Sequence, residues 1–278
     1  MRHFYAEVIG DPIAHSKSPL IHNFWLKKRG IDAEYRACHV RPDKLADYFA
    51  NRRKDPDWRG CNVTIPHKEA VGSHIDCLWL DTLEIGATNT VIRREDQLLG
   101  ANTDITGIIQ PLNILLTELF GSGPPPQQRV AIIGAGGAAR AAAAAIRSRF
   151  PDWPMCILAR RPEQAEMIDI KADTRPIEDA ALTDVTVLIN ASPLGMIEKP
   201  PLNLSLAAMR GGEAPKIIFD MVYAPLETHL LAQARHQGFA TIDGLQMLVA
   251  QAAEAFELFF DVPAPREYDD ELRALLVK

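Results

Sequence analysis

The sequence predicts an α/β protein of two domains, and three observations support this interpretation. Short β-branched runs alternate with stretches of helical periodicity along the whole chain. Strands that alternate with helices favour parallel sheets covered on both faces. The length of 278 residues is sufficient for two modest domains, and a stretch rich in glycine and proline, residues 121–128, lies between the two halves.

Nine short apolar runs are typical of strands. They lie at residues 4–9, 35–40, 61–65, 90–92, 130–133, 155–158, 185–189, 217–219 and 239–242. A helix is predicted to begin near Pro19, and helical spacing extends over residues 105–119 and 245–260. Because proline lacks an amide hydrogen, Pro111 predicts a kink or a break in the helix at 105–119.

The stretch 121–128 cannot continue a helix, and it directly precedes the strand predicted at 130–133. We interpret it as the loop that leads into the second domain. A surface insertion within a single domain is the alternative.

Composition and charge exclude several classes of protein. The net charge of −6 provides no global positive field for nucleic acid or an anionic membrane. The four cysteines form no C-x-x-C pair, which argues against a zinc ribbon or a dithiol redox site and suits the reduced cytoplasm. No apolar run reaches the roughly 18 residues of a membrane span. We expect no metal site, and we assign His15 and His22 to packing or loop hydrogen bonds.

Residues 130–141 combine an apolar strand, a glycine cluster and an alanine-rich helix. The cluster comprises Gly134, Ala135, Gly136, Gly137 and Ala138. Glycines permit a tight turn with close backbone approach, and the free N–H groups of the following helix bind phosphate. This order predicts a dinucleotide site, with a glycine turn that serves packing alone as the alternative.

The next predicted strand is followed by Arg160 and Arg161, at the position where an acidic residue would favour NAD. A guanidinium group matches the geometry of a phosphate. The pair, and mainly Arg160, therefore predicts a preference for NADP, with two solvated surface arginines as the alternative.

Polar side chains gather where apolar segments of the first half end. Ser16 and Ser18 are two hydroxyls in one loop that suit a single carboxylate, although Ser18 also fits a helix N-cap. Asn62 and Thr64 share one face of a strand, and Lys68 follows on a turn. A solvated helix charge is the ordinary alternative for a single lysine.

A third polar cluster, which includes Asn89 and Asp104, lies in residues 86–90 and 100–107. Such residues near a helix start are normally caps and turn formers, and Asp104 fits a capping role. Together the three clusters offer paired hydroxyls for a carboxylate, amides and hydroxyls for ring alcohols, and one lysine–aspartate pair.

Eight ordered motifs resemble the shikimate dehydrogenase family over nearly the whole chain. The first four lie at residues 10–19, 62–68, 86–90 and 102–104. The others lie at residues 134–137, 190–196, 220–223 and 243–251. Eight motifs in the same order are far more specific than any one of them.

The resemblance implies an α/β substrate domain and a Rossmann-type, doubly wound NADP-binding domain that face each other across a cleft. We expect the substrate domain at residues 1–107, with 243–278 returning to it so that the C-terminal helix packs on it, and the Rossmann domain at 108–242. The implied reaction is the reversible reduction of 3-dehydroshikimate to shikimate, within aromatic amino acid biosynthesis. The partner is a small molecule, and we expect a cytoplasmic monomer or homodimer.

The resemblance also implies roles for individual residues. Ser16 and Ser18 would bind the substrate carboxylate. Lys68 would be the catalytic residue, paired with Asp104. The substrate hydroxyls would be held by Thr64, Asn89, Asp104 and Gln251, with Tyr223 nearby. The cofactor would be bound by Gly134, Ala135, Gly136, Gly137, Ala138, Arg160, Arg161, Ser192, Met221 and Gly244.

Two places depart from the family pattern. The usual arginine clamp for the adenosine phosphate keeps one arginine, and Gln164 stands at the position of the second, so NAD is also possible. The residue before Lys68, usually apolar and often phenylalanine, is His67. We expect its side chain to be partly exposed and to point away. The alternative is an imidazole that alters the proton affinity of the lysine or contacts a different substrate.

Other functions stay open on the sequence alone. Relatives that accept quinate or an aminated shikimate share most of these motifs. Folate-linked methylene dehydrogenases and amino-acid dehydrogenases have a related cofactor domain, but they would not need the serine pair or Asn89 together with Asp104. A third possibility is a module that senses the cofactor without turning it over.

Overall fold

A computed structural model describes residues 3–79, 82, 85–165, 172–179, 181–211 and 214–278. The chain divides into two compact units. The first comprises Met1–Thr103 and Gln251–Lys278, and the second comprises Asp104–Ala250. Each of the nine predicted strands is present, with its ends shifted by no more than a few residues.

The first unit is built on a mixed sheet with strand order β2-β1-β3-β5-β6-β4. Its strands are β1 (Phe4–Gly10), β2 (Ala33–His39), β3 (Trp58–Val63), β4 (Cys77–Leu78), β5 (Thr90–Arg94) and β6 (Gln97–Ala101). Its helices include α1 (Ser18–Arg29) and α2 (Leu45–Arg52), with short 3-10 turns at Pro42–Lys44 and Ala70–His74. β1 pairs in parallel with β2 and β3, whereas β5 is antiparallel to both β3 and β6.

The second unit is built on an all-parallel sheet with strand order β12-β11-β10-β7-β8-β9. Its strands are β7 (Val130–Ile133), β8 (Met155–Ala159), β9 (Asp173–Pro176), β10 (Val187–Asn190), β11 (Ile217–Asp220) and β12 (Ala240–Ile242). Its helices include α3 (Asp104–Phe120), α4 (Gly137–Arg149), α5 (Pro162–Ala165) and α6 (His229–His236), with 3-10 turns at Ile177–Asp179 and Leu206–Arg210. Because the order reverses beside β7, this is the predicted doubly wound Rossmann arrangement.

Helix α7 (Gly244–Phe260) begins in the second unit, and its residues from Gln251 onward belong to the first. A 3-10 turn at Arg266–Tyr268 and helix α8 (Asp269–Leu276) follow. Phe256 lies 5.9 Å from the ring of His22, which stacks on Tyr35 at 3.9 Å between ring centroids. The C-terminal helical segment therefore packs in the core of the first unit, as predicted.

His22 is fully buried among these aromatic rings. Neither of its ring nitrogens has a hydrogen-bond partner in the described part of the chain. Burial lowers the pKa of His22 to about 3, so the ring is neutral at physiological pH. The prediction that His22 serves packing is consistent with this environment.

Pro111 does not interrupt its helix, so of the predicted kink or break, the break is wrong. Helix α3 runs on both sides of it, and Ile108, Leu112 and Leu116 form one buried face across the proline. Helical structure in proteins is stabilised mainly by packing of such a face, which here outweighs the roughly 3 kcal/mol that an internal proline costs.

Strands β4, β6 and β9 were not predicted, and each lacks the usual signal. β6 follows β5 through the two-residue turn Glu95–Asp96, in which Glu95 adopts a left-handed φ of 52°. Such turns normally carry glycine or asparagine. β9 is an edge strand without a buried residue, and β4 is only two residues long.

Within the described ranges, no helix is both long and apolar enough to cross a membrane. The same residues contain no group of three or more His, Cys, Asp or Glu placed to hold a metal ion.

Candidate active site

The predicted carboxylate-binding serines lie at the start of α1, in the loop that follows β1. Ser18 is the first residue of the helix and is buried, and the N-cap is Lys17 without a side-chain cap hydrogen bond. The interpretation of Ser18 as an N-cap is therefore wrong. The hydroxyl of Ser16 instead accepts a hydrogen bond from the backbone N–H of Ser18 at 3.3 Å, which brings the two serines together.

The end of β1 lies directly against the turn that carries Lys68. The backbone N–H of Asp11 donates to the Ile65 carbonyl at 3.1 Å. A Cβ at Gly10 would lie 2.6 Å from Thr64 Cγ2 and 3.0 Å from the Ile65 carbonyl oxygen. Only glycine allows this close approach. Gly10 therefore permits the serine loop and the lysine turn to lie together at one edge of the sheet.

The backbone around Lys68 is held from both sides. The Lys68 carbonyl accepts a hydrogen bond from the Thr88 N–H at 2.7 Å. On the other side, Nε2 of His67 lies 2.6 Å from the Val40 carbonyl oxygen, to which it donates. His67 is only 1% exposed, so the expectation of a partly exposed side chain is wrong. A carbonyl acceptor at the end of β2 replaces the solvent that the ring would otherwise need.

Asn89 and Gln251 lie far apart in sequence, and a third residue links them in the fold. Asn89 Nδ2 donates to Thr103 Oγ1 at 3.1 Å, and Asn89 Oδ1 accepts from the Thr103 N–H at 2.8 Å. The Thr103 hydroxyl lies 3.2 Å from Gln251 Oε1. All three residues are buried. Thr103 has no role among the predicted site residues, although it lies in one of the eight motifs.

A second set of buried hydrogen bonds orients Asn89. The Tyr35 hydroxyl donates to Asn62 Oδ1 at 2.6 Å, and Asn62 Nδ2 donates to Thr90 Oγ1 at 3.0 Å. Thr90 Oγ1 in turn lies 2.9 Å from Asn89 Oδ1. Burial raises the pKa of Tyr35 well above its ordinary value, so its hydroxyl stays a donor. The amide of Asn89 is therefore held by strands β2, β3 and β5.

In the second unit, the glycine turn connects β7 to α4. Gly134 has a φ of +127°, and a Cβ there would lie 2.9 Å from the Ala191 carbonyl oxygen. Gly136 is the N-cap of α4, and a Cβ there would meet no atom within 4 Å. Gly134 therefore serves close packing, whereas Gly136 borders open space in front of the helix N-terminus. Ala135, Gly137 and Ala138 are partly buried in the same turn. A dinucleotide pyrophosphate fits this cradle of backbone N–H groups.

Arg160 and Arg161 follow β8 and are exposed. β8 pairs with β7 in parallel register, and the Gly134 N–H donates to the Leu158 carbonyl at 2.9 Å. Both arginines therefore begin at the same edge of the sheet as the glycine turn.

Three more predicted cofactor residues lie in two close backbone contacts. The backbone nitrogen of Ser192 is 3.3 Å from the position of a Cβ at Gly134. A Cβ at Gly244 would lie 2.5 Å from the Met221 carbonyl oxygen. Gly244 thus allows the start of α7 to lie directly on the segment after β11.

Two further predicted residues, Asp104 and Tyr223, lie in the second unit. Asp104 is the first residue of α3 and is buried, and it belongs to the second unit. Tyr223 follows β11, and burial raises the pKa of its hydroxyl above the ordinary value.

Known proteins resemble this chain over its whole length. The family described as the shikimate dehydrogenase substrate binding domain matches residues 8–91, and the shikimate 5'-dehydrogenase C-terminal domain matches residues 244–270. Shikimate dehydrogenase (NADP(+)) of Sphingopyxis alaskensis is 49% identical over 98% of this chain and 97% of its own length. The corresponding protein of Methylobacterium radiotolerans is 39% identical over 98% of this chain and 96% of its own length.

Solved structures agree with this result. Shikimate 5-dehydrogenase of Thermus thermophilus, in complex with NADP(H) and shikimate, superposes with a TM-score of 0.83 at 31% identity, covering 98% of this chain and 99% of its own. The two-unit α/β fold, the ordered motifs and the near-complete coverage lead to the same conclusion. The chain belongs to the shikimate dehydrogenase family.

Proposed function

We propose that the protein is an NADP-dependent shikimate dehydrogenase that reversibly reduces 3-dehydroshikimate to shikimate in aromatic amino acid biosynthesis. The observation that carries this proposal is the buried network of Asn89, Thr103 and Gln251 beside the Lys68 turn. Side-chain amides carry N–H donors and an acceptor oxygen, the groups with which ring alcohols form hydrogen bonds. The full-length similarity to proteins named shikimate dehydrogenase supports the same substrate class.

The substrate carboxylate is assigned to Ser16 and Ser18. The Ser16 hydroxyl accepts from the Ser18 backbone, and a hydroxyl that accepts one hydrogen bond still has its own hydrogen to donate. Both serines stand at the N-terminus of the 12-residue helix α1, where the helix dipole favours a negative charge. We assign the ring hydroxyls to Thr64, Asn89 and Gln251.

Lys68 is assigned as the group that supplies the proton. Bound NADPH would supply a hydride to the carbonyl carbon of the substrate, and negative charge would develop on the carbonyl oxygen. A positioned ammonium group stabilises that charge and donates a proton to the oxygen. The hydrogen bonds from Thr88 and to Val40 fix the backbone on both sides of Lys68, so the side chain starts from a defined position.

The cofactor is assigned to the second unit. The open space at Gly136 and the first N–H groups of α4 suit the pyrophosphate. Arg160 and Arg161 suit the additional phosphate of NADP. Ser192, Met221 and Gly244 complete the proposed set at the same sheet edge.

A spectrophotometric assay tests the proposed reaction. Shikimate, quinate and several amino acids are each offered with NADP and with NAD, and reduced cofactor is followed by absorbance. We expect the highest kcat/KM for shikimate with NADP. A higher value for quinate, for an amino acid or for NAD would replace the proposed substrate or cofactor. Cofactor binding without any turnover would identify a sensor instead.

Replacement of the proposed proton donor tests the mechanism. We expect Lys68→Ala to lower kcat about 10²–10⁴-fold, the usual contribution of general acid catalysis, and Asp104→Ala to lower kcat in the same direction. The Kd for NADPH stays close to the wild-type value in both. Lys44→Ala, an exposed lysine that pairs with Asp47 in the same unit, is the matched control. Full turnover by Lys68→Ala would remove the role assigned to Lys68.

A further inference from the structure

A buried carboxylate at the end of β11 is hydrogen-bonded by three groups from three segments. Asp220 Oδ1 accepts from Asn190 Nδ2 at 2.9 Å and from the Val222 N–H at 3.1 Å. Asp220 Oδ2 accepts from the Thr228 hydroxyl at 2.6 Å. Asp220 is fully buried, and this burial raises the pKa of its carboxyl even though each of the three donors lowers it. Asp220, Asn190 and Thr228 have no role among the predicted site residues.

Asn190, the last residue of β10, carries this network into the next segment. Its Oδ1 accepts from the Ser192 N–H at 3.1 Å and from the Ser192 hydroxyl at 2.7 Å. Its Nδ2, which donates to Asp220, also reaches the Leu194 carbonyl at 3.1 Å. The orientation of Ser192 therefore depends on an amide that is itself held by Asp220.

Thr228 connects the same carboxylate to the start of α6. It is the N-cap of that helix, and its hydroxyl accepts from the Leu231 N–H at 3.2 Å. A threonine hydroxyl has one hydrogen to donate, and in this arrangement it is directed to Asp220.

The two segments held by this network are those that lie closest to Gly134 and Gly244. Residues 191–192 lie against Gly134, and residues 221–222 lie against Gly244. The hydrogen bonds of Asp220 and Asn190 therefore act on the two segments that contain or contact four proposed cofactor residues. These are Gly134, Ser192, Met221 and Gly244.

We propose that Asp220, Asn190 and Thr228 are positioning residues that hold the segments 191–192 and 221–222 in the geometry required for cofactor binding. This inference rests on the proposed function, because it concerns the same cofactor site. None of the three needs to touch the cofactor. Their effect is transmitted through the backbone of Ser192 and Met221.

Two variants remove different donors to the same carboxylate. Asn190→Ala removes the amide between Ser192 and Asp220, and Thr228→Val removes the hydroxyl while keeping a β-branched side chain. We expect each to raise the Kd for NADPH about tenfold, the change expected when displacement of these segments weakens one hydrogen bond to the charged cofactor. The KM for shikimate stays within about twofold of the wild-type value. Thr228→Ser, which keeps the hydroxyl, restores the wild-type Kd.

The double variant Asn190→Ala/Thr228→Val tests whether the two residues act through one group. If both act through Asp220, the combined rise in Kd is smaller than the product of the two single effects. If the rise in Kd of the double variant equals the product of the two single effects, Asn190 and Thr228 act independently and the role assigned to Asp220 is wrong.

Thr186→Val is the matched control for general destabilisation. The Thr186 hydroxyl hydrogen-bonds the backbone of Arg129 just before β7 and β10 begin, at the opposite edge of the same sheet. We expect this variant to lower Tm without changing the Kd for NADPH. If Asn190→Ala and Thr228→Val also lower Tm and leave the Kd unchanged, their role is merely structural and the proposal is wrong.

The proposed function fails by a different result. NADPH binding is measured by fluorescence titration without substrate, so it does not depend on turnover. If the wild-type protein binds NADPH but does not oxidise shikimate with NADP, the proposed reaction is wrong. The NADPH titrations of the variants still test the role of Asp220 in that case.

Discussion

A substitution at Gly136 tests the proposed cofactor role of the glycine turn separately from its packing role. The residue has a φ of −89°, which alanine adopts without strain, and a Cβ there would meet no atom within 4 Å. Gly136→Ala therefore adds a methyl group to open space in front of α4. If this space belongs to the cofactor, the substitution acts on binding and not on folding.

The effect on stability follows from the backbone. Replacement of glycine by alanine at a compatible φ reduces the entropy of the unfolded chain and stabilises the fold by about 0.4–1 kcal/mol. Because alanine is a weaker N-cap than glycine, this gain is offset at the N-cap position, and we expect Gly136→Ala to keep a Tm close to the wild-type value. Gly134→Ala is the opposite case, because it combines a φ of +127° with a contact of 2.9 Å to the Ala191 carbonyl oxygen. A left-handed residue alone costs about 1–2 kcal/mol, so Gly134→Ala should lower the Tm.

The effect on cofactor binding follows from the hydrogen bonds to the pyrophosphate. A methyl group at Gly136 keeps the phosphate from the N–H groups at the start of α4. Loss of one hydrogen bond to a charged group costs about 1.5–3 kcal/mol. By the relation between free energy and affinity, the Kd for NADPH should rise by a factor of about 10–150.

Thermal unfolding and fluorescence titration with NADPH measure the two effects separately. Gly123→Ala is the control, since Gly123 also has open space around its Cβ position and lies in the loop at 121–128, outside the turn. We expect Gly123→Ala to leave the Kd unchanged and, for the same entropic reason, to keep or slightly raise the Tm. An unchanged Kd for Gly136→Ala would show that the open space is not the pyrophosphate site. A large loss of Tm would show that the turn is packed differently.

Three further outcomes are expected. Folding lowers the pKa of His22 from 6.5 to about 3. Between pH 3 and pH 6.5, His22 therefore binds a proton in the unfolded chain but not in the folded chain. The contribution of neutral His22 to stability is therefore fully present above pH 6.5 and is lost as the pH falls. This contribution should lower the free energy of unfolding by about 2 kcal/mol between pH 7 and pH 5. Urea titrations at pH 7 and pH 5 should show that His22→Phe loses less unfolding free energy than the wild-type protein over this range. The same loss in both proteins would contradict the role of His22. Replacing Arg160 and Arg161 by alanine should lower the ratio of kcat/KM for NADP over NAD, and an unchanged ratio would exclude them from cofactor selection. His67→Phe leaves the buried Val40 carbonyl without its donor, which should cost about 1–3 kcal/mol of unfolding free energy; equal stability in urea would argue against this hydrogen bond.

Local patterns were sufficient for much of the fold. A strand has a short apolar run, and a glycine turn between a strand and an alanine-rich helix is contiguous in sequence. Both signals lie within about 15 residues, so no distant contact is needed to read them. The strands without such a signal were missed. β9 exposes its side chains, and the turn after β5 uses Glu95 where glycine or asparagine is usual.

Pro111 and His67 show where tertiary contacts outweigh local preference. Pro111 lies on a buried helix face whose packing continues on both sides. His67, a polar residue between Pro66 and Lys68, is buried because the Val40 carbonyl lies within hydrogen-bond distance. Neither the apolar face around the proline nor the carbonyl acceptor is visible from sequence neighbours.

The sequence by itself determined the α/β class, the glycine turn between a strand and a helix, and the residue types available to bind a carboxylate, ring hydroxyls and a phosphate. Only the tertiary structure decided which of those residues are held together. The Thr103 link between Asn89 and Gln251, and the Asp220 link between the segments after β10 and β11, join residues that are distant in the chain. The physical reason is that a buried polar group must find its partner wherever the fold places one, and that choice depends on strand order and helix packing, which no short stretch of sequence contains.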